Sequence, residues 1–203
     1  MTLGGRLVEE WIRMLEKEQI ERALSFSEYL DKAEMNAPTM KANYQEIEIS
    51  PEDHEYFSRL SSKLERGAIK IVALSEPWCG DCVENLPIVA KLASLYPCFE
   101  LLVFSRDDNL DIMDLYLTDG KRVIPVLVFF DETGKEIGRF IERPEGATKF
   151  LESEAEKYRS LPEEERKRAM YGVRAQLRKM YKTQFRDETV REIRRILENR
   201  YGS

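Results

Sequence analysis

Apolar residues recur at helical spacing in the first segment of the chain: Leu7, Val8, Trp11, Ile12 and Leu15, then Ile20, Ala23, Leu24 and Leu30. They predict one amphipathic helix or two short ones, reaching about Lys32. Asn36-Ala37-Pro38-Thr39 interrupts the pattern, because proline cannot continue a helix and biases the residue before it towards extended geometry. A boundary is expected there.

Beyond it the period changes. Tyr44 to Ile49 holds β-formers in partial alternation and predicts a short strand, after which Ser50 reads as a helix cap with Pro51 at the first helical position. Gly67 closes that helix, and Ala68 to Leu74 is an apolar, branched run suited to a buried strand. From Cys82 to Tyr96 the helical period returns, with Pro87 expected to kink rather than end it. Phe99 to Phe104 and Val126 to Phe130 read as strands, with a short helix from Leu110 to Leu117, closed by Gly120, between them. Asp131-Glu132-Thr133-Gly134 is turn chemistry that folds Lys135 to Ile141 back as a hairpin, and Pro144 opens a helix to about Tyr158. Ser160 and Glu163 have the spacing of a capping box around Pro162, and Met170, Val173, Leu177, Met180, Val190, Ile193 and Leu197 continue in one long helix or two.

Parallel βα units that give way to a terminal hairpin predict an α/β fold: a mixed central sheet, helices on both faces, and helical extensions at both termini. The expected organisation is a helical extension over 1–40, a central domain over 41–160 and a second helical extension over 161–203. At 203 residues the chain suits one core with additions rather than two full domains.

Composition narrows the function. With 42% hydrophobic and 34% charged residues this is an ordinary globular chain. Charges interrupt the first twenty residues where an export signal would need an apolar stretch, and Val126 to Phe130 is far too short to span a membrane. Three cysteines exclude a disulfide framework and fit a reducing compartment, so a cytoplasmic location is expected. His54 is the single histidine, and no metal site is expected. Residues 162–203 carry twelve Lys/Arg against seven Asp/Glu, on a body that is acidic. Tyr171, Tyr181, Phe185 and Tyr201 lie among those cations, but their spacing suits a helix packing on the body better than base stacking, so neither nucleic acid nor membrane is an expected partner.

The candidate chemistry is Trp78-Cys79-Gly80-Asp81-Cys82, at the end of one predicted strand and the start of the next helix. A cysteine at a helix N-terminus meets free N–H groups and the positive end of the dipole, which stabilise its thiolate by about 0.3 to 2 kcal/mol. Cys79 is therefore the expected nucleophile. Cys82, one turn later on the same side, can close a disulfide with it and is the expected resolving thiol. Cys98, at the start of a strand, reads as a small buried residue.

This run, together with Val123-Ile124-Pro125-Val126 further on, resembles the thioredoxin superfamily over residues 44 to 158. The resemblance implies a thiol:disulfide oxidoreductase that reduces protein disulfides, takes electrons from a reductase or small thiol, and uses no cofactor. It also implies that Pro125 is cis and faces the cysteines, and that Ile124 offers its backbone to the substrate beside Trp78; a trans proline at the strand's first residue is the alternative that spacing allows. This chain has Asp81 where the family commonly has proline, and Ala73 where the family buries an acid. The Asp81 carboxylate is expected to oppose the Cys79 thiolate and make the site more reducing, and removal of the Cys82 proton falls to water, Asp81 or Glu84. The alternative function is a scaffold of the same fold whose helical extensions bind a partner.

Overall fold

The buried run expected before the cysteines forms strand β1 (Ile69–Ser75), and every residue of it except Lys70 is buried. The computed structural model describes residues 17–202, so the predicted stripe from Leu7 to Leu15 lies outside the described residues. Around β1 the described residues build a four-stranded sheet in the order β2-β1-β3-β4, with β2 (Phe99–Ser105), β3 (Val126–Phe130) and β4 (Glu136–Ile141). β2 runs parallel to β1 and β3 antiparallel to it, and β4 returns along β3 as the predicted hairpin. Asp131 holds the hairpin turn by accepting from the Thr133 and Lys135 N–H groups, and Gly134 supplies the positive φ of 82° that it requires.

The strand expected from Tyr44 to Ile49 does not form, so the sheet has four strands where the sequence pattern led to five. Asn36 adopts a left-handed conformation (φ 59°), and Pro38 sits in the first turn of a helix, where its missing N–H is no loss. Among the described residues that helix follows two shorter ones: α1 (Lys17–Ile20) and α2 (Phe26–Lys32) precede α3 (Ala37–Glu46). Met40 and Asn43, spaced on one face of α3, are buried, and the Asn43 amide donates to the Val83 carbonyl at 3.0 Å. At the sheet edge the place of a fifth strand is taken by one antiparallel bridge, in which Leu24 and Val103 exchange N–H···O bonds of 2.8 and 2.9 Å. This bridge also separates α1 from α2, which restarts at a capping box of Ser25 and Glu28.

Alternate residues of β1 feed two apolar layers. Ile69, Ile71 and Ala73 face a core shared with Tyr56 and Phe57 of α4 (Pro51–Lys63), with Leu86 and Val89 of α5 (Gly80–Leu95), and with Ile193 and Leu197. Val72 and Leu74 face the other layer, with Cys82, Phe104 and, from α6 (Leu110–Met113) and the 3-10 turn that follows it, Ile112, Met113 and Tyr116.

The C-terminal region is one helical run: α8 (Glu163–Met180), a π-helical turn (Tyr181–Phe185) and α9 (Arg186–Tyr201). The capping box expected at Ser160 is not made; Pro162 is the N-cap of α8, with no side-chain cap. Packing of this run departs from its sequence position. The helix before it, α7 (Glu145–Lys157), buries only Ala147 and packs on α8, whereas α9 lies on β4, α4 and α5 and covers the sheet. Tyr181 and Phe185 are buried where α7 meets the run, and Tyr171 is exposed. Glu188 and Glu192 of α9 accept from the Gly146 and Glu145 N–H groups at 2.7 and 2.8 Å, so acidic side chains cap the start of α7. A Cβ at Gly146 would collide with the Glu188 carboxylate.

Candidate active site at the start of helix α5

Ser75 ends β1, and Glu76, Pro77 and Trp78 turn the chain so that Cys79 is the N-cap residue of α5 (φ −83°, ψ 120°). The N–H of Cys79 bonds to the Glu76 carbonyl at 3.1 Å, and the Cys79 carbonyl accepts from Val83. The first-turn N–H groups of α5 thus have no helical partner, and the dipole's positive end lies at the Cys79 sulfur. Cys79 is half-buried and its Sγ is 3.5 Å from the Ile124 carbonyl oxygen. The Ile124–Pro125 peptide is cis, as the resemblance implies, and both residues are buried. Trp78 stands beside them with 48% of its surface exposed and the Arg106 guanidinium 4.8 Å from its ring centre.

Cys82 lies one turn into α5 and is fully buried. The two thiols are driven apart in acidity. The Cys79 pKa is lowered, chiefly by a hydrogen bond from the Cys82 side chain, against desolvation and the Asp81 charge. Burial raises the Cys82 pKa well above the ordinary thiol range, and the hydrogen bond to Cys79 adds to this. Such a split makes Cys79 the more acidic thiol of the pair and favours the protonated form of Cys82. Cys82 receives the Glu76 N–H at 3.5 Å and a contact from the Ser75 hydroxyl, which is in turn 3.1 Å from the Tyr29 hydroxyl. Neither carboxylate considered as its proton acceptor hydrogen-bonds to it. Asp81 is held by Arg143; Glu84, itself buried, accepts from Asn43 at 3.2 Å with Arg186 at 3.9 Å.

Arg143 is the residue that sequence reasoning missed. It follows β4, 62 positions after Asp81, and its guanidinium donates to both Asp81 oxygens at 2.7 and 3.1 Å while also pairing with Glu142. The Asp81 charge raises the Cys79 pKa, the direction expected from sequence, but a cation now sits against it. Titrating the Cys79 thiolate by its absorbance should therefore give a midpoint below that of a free thiol. The midpoint should move up in Arg143→Gln, which bares the Asp81 charge, and down in Asp81→Asn. The reduction potential should fall in the first and rise in the second, because a more stable thiolate stabilises the reduced form. Equal midpoints in all three proteins would mean that the pair does not act on the sulfur.

Asn85 ties this helix to the C-terminal run. Its amide donates to the Asp81 and Glu142 carbonyls and to the Tyr181 hydroxyl at 3.0 Å, while Thr189 donates to its oxygen at 2.9 Å. Cys98 is buried at the start of β2, the opposite end of the sheet, about 20 Å along the strands from the dithiol. His54 is surface-exposed and its Nδ1 is 2.7 Å from the Tyr96 hydroxyl. Among the described residues no group of His, Cys, Asp and Glu could hold a metal ion, and no helix is long and apolar enough to cross a membrane.

Comparison with known proteins places this geometry. No curated protein matches the chain. Among solved structures, it resembles a protein of unknown function from Pseudomonas aeruginosa at 19% identity and a TM-score of 0.63, covering 90% of this chain and 96% of that one. An HIV epitope-scaffold is similar at 19% identity and a TM-score of 0.62, covering 89% and 96%. At such identity the likeness is one of fold. The family model described as thioredoxin matches residues 23–159. That stretch is more than half of the chain and contains both the dithiol and the cis-proline that faces it, so the chain belongs to the thioredoxin family.

Proposed function

We propose that the protein is a thiol:disulfide oxidoreductase that reduces disulfides of protein clients through Cys79 and Cys82. The observation that carries this reading is the pairing of a half-buried, acidified Cys79 with a buried Cys82 one helical turn behind it. The Cys79 thiolate attacks one sulfur of the client disulfide, the client S–S bond breaks, and the second client sulfur leaves as a thiolate that takes a proton. Cys82 then loses its proton and attacks the Cys79 sulfur of the mixed disulfide, releasing the second client thiol. Two electrons pass to the client, and the protein is left with a Cys79–Cys82 disulfide for an external reductase or small thiol to reduce. No cofactor takes part, and the protein is expected to act in the cytoplasm.

The polar groups around the buried sulfur support the second step. The Glu76 N–H and the Ser75 hydroxyl stabilise the Cys82 thiolate as it forms, and water takes the Cys82 proton in the mixed disulfide, before the client is released. Ile124 and Pro125 bound the site opposite Cys79, with Trp78 as its exposed rim, and these three residues are the proposed client contacts.

Insulin reduction with dithiothreitol as electron source tests the proposal. The protein should speed precipitation of the insulin B chain severalfold or more over dithiothreitol alone. A rate equal to dithiothreitol alone, with the dithiol intact and reduced, would favour the scaffold function instead.

A further inference from the structure

A groove of about 970 Å³ opens at Cys79 and runs between α7 and α8. Trp78, Cys79 and Gly80 line it, and α8 supplies one wall. We propose that this wall selects clients, and that they are polypeptides whose disulfide is flanked by acidic side chains interspersed with apolar ones. This inference rests on the reductase reading above and adds to it the class of substrate.

Three observations carry it. The first is spacing. Arg166, Met170, Arg174 and Arg178 recur every four residues, so they form one row along α8, and the last three line the groove. At 1.5 Å per residue the row is about 18 Å long, the reach of roughly five or six residues of extended chain and well beyond that of a small-molecule disulfide.

The second is charge. Most acids of the groove are already engaged: Asp81 and Glu142 by Arg143, and Glu84 by Asn43 and Arg186. By contrast, the guanidinium groups of Arg166, Arg174 and Arg178 make no hydrogen bond or ion pair among the described residues, and Glu152 is the one lining acid without a cation in ion-pair range. Two open cations of the groove, Arg174 and Arg178, against one open acid, with Arg166 extending the row beyond it, favour a carboxylate-bearing chain on the α8 side.

The third is the apolar surface between them. Tyr171, 73% exposed, and Trp78, 48% exposed, both line the groove, as do Met170 and the edge of Leu177. Exposed aromatic side chains and a half-buried methionine beside arginines are the composition of a protein-binding surface.

The test uses the full-length protein and three synthetic peptides with the same disulfide loop and acidic, neutral or basic flanks. Reduction of each is followed by kcat/KM, with the wild type, Arg174→Glu/Arg178→Glu, and Arg174→Ala/Arg178→Ala. Both positions are exposed, and circular dichroism checks that the variants fold. For the wild type we expect acidic flanks to be preferred over basic ones by roughly tenfold, chiefly through KM, and the preference to shrink with added salt. The Ala variant should lose the preference and the Glu variant should reverse it. Equal rates on all three peptides, or an acidic preference that survives both variants, would overturn the inference and leave the reductase reading standing. Failure to reduce any peptide would overturn both.

Discussion

Cys79→Ser is expected to abolish disulfide reduction by the protein, removing the whole severalfold acceleration so that insulin precipitates at the rate of dithiothreitol alone, since no other described thiol can begin the reaction. Cys82 is fully buried and its pKa is pushed up, and Cys98 is buried at the other end of the sheet. Cys82→Ser should also fail in turnover but keep the first chemical step, because Cys79 remains accessible. Cys98→Ala should reduce insulin at close to the wild-type rate. Comparable loss in Cys98→Ala, with its fold intact, would require a redox role for that thiol which its position does not give it.

Ile193→Ala is expected to destabilise the protein by about 2–5 kcal/mol, the cost of a large-to-small change in a closed core. Ile193 belongs to α9 and is fully buried in the same cluster as Ile71, Leu86 and Phe129. The loss should appear as one cooperative transition in urea, with the midpoint reduced and the slope unchanged. A change below about 0.5 kcal/mol would instead be the value for a surface position and would mean that α9 is not part of the body. Because Asn85 joins Tyr181 and Thr189 to the Asp81 carbonyl, loosening α9 should also reach the active-site helix. Reduction by Ile193→Ala should therefore lose more activity on warming than the wild type does.

Much of this site can be read in the sequence because its chemistry is local. The nucleophile, the resolving thiol and the helix start lie within a few residues, and Ile124-Pro125 stands immediately before a strand whose apolar run is unambiguous. The hairpin is equally plain, since Asp131 and Gly134 satisfy and bend their own turn. What was illegible depends on partners far away in the chain. The stretch from Tyr44 to Ile49 has the composition of a strand, yet Tyr44 to Glu46 end α3, because burial of Met40 and Asn43 outweighs the β-preference of neighbouring residues. The cue available was Pro38, read as a stop when it stood in the first turn. Arg143 belongs to no motif, and nothing local to it announces Asp81. An apolar stripe also states that a helix is covered without stating by what: α7 and α9 both carry one, and only packing decides that the later helix lies on the sheet.

If Cys79 is the attacking sulfur, what it forms with a client can be trapped. Incubating Cys82→Ser with a disulfide-bonded client leaves the mixed disulfide without its resolving thiol, so it should accumulate as a covalent one-to-one adduct. Peptide mapping of that adduct by mass spectrometry, without reduction, should place the client on Cys79, and dithiothreitol should release it. An adduct on Cys98, or no adduct with a client that the wild type reduces, would contradict the account.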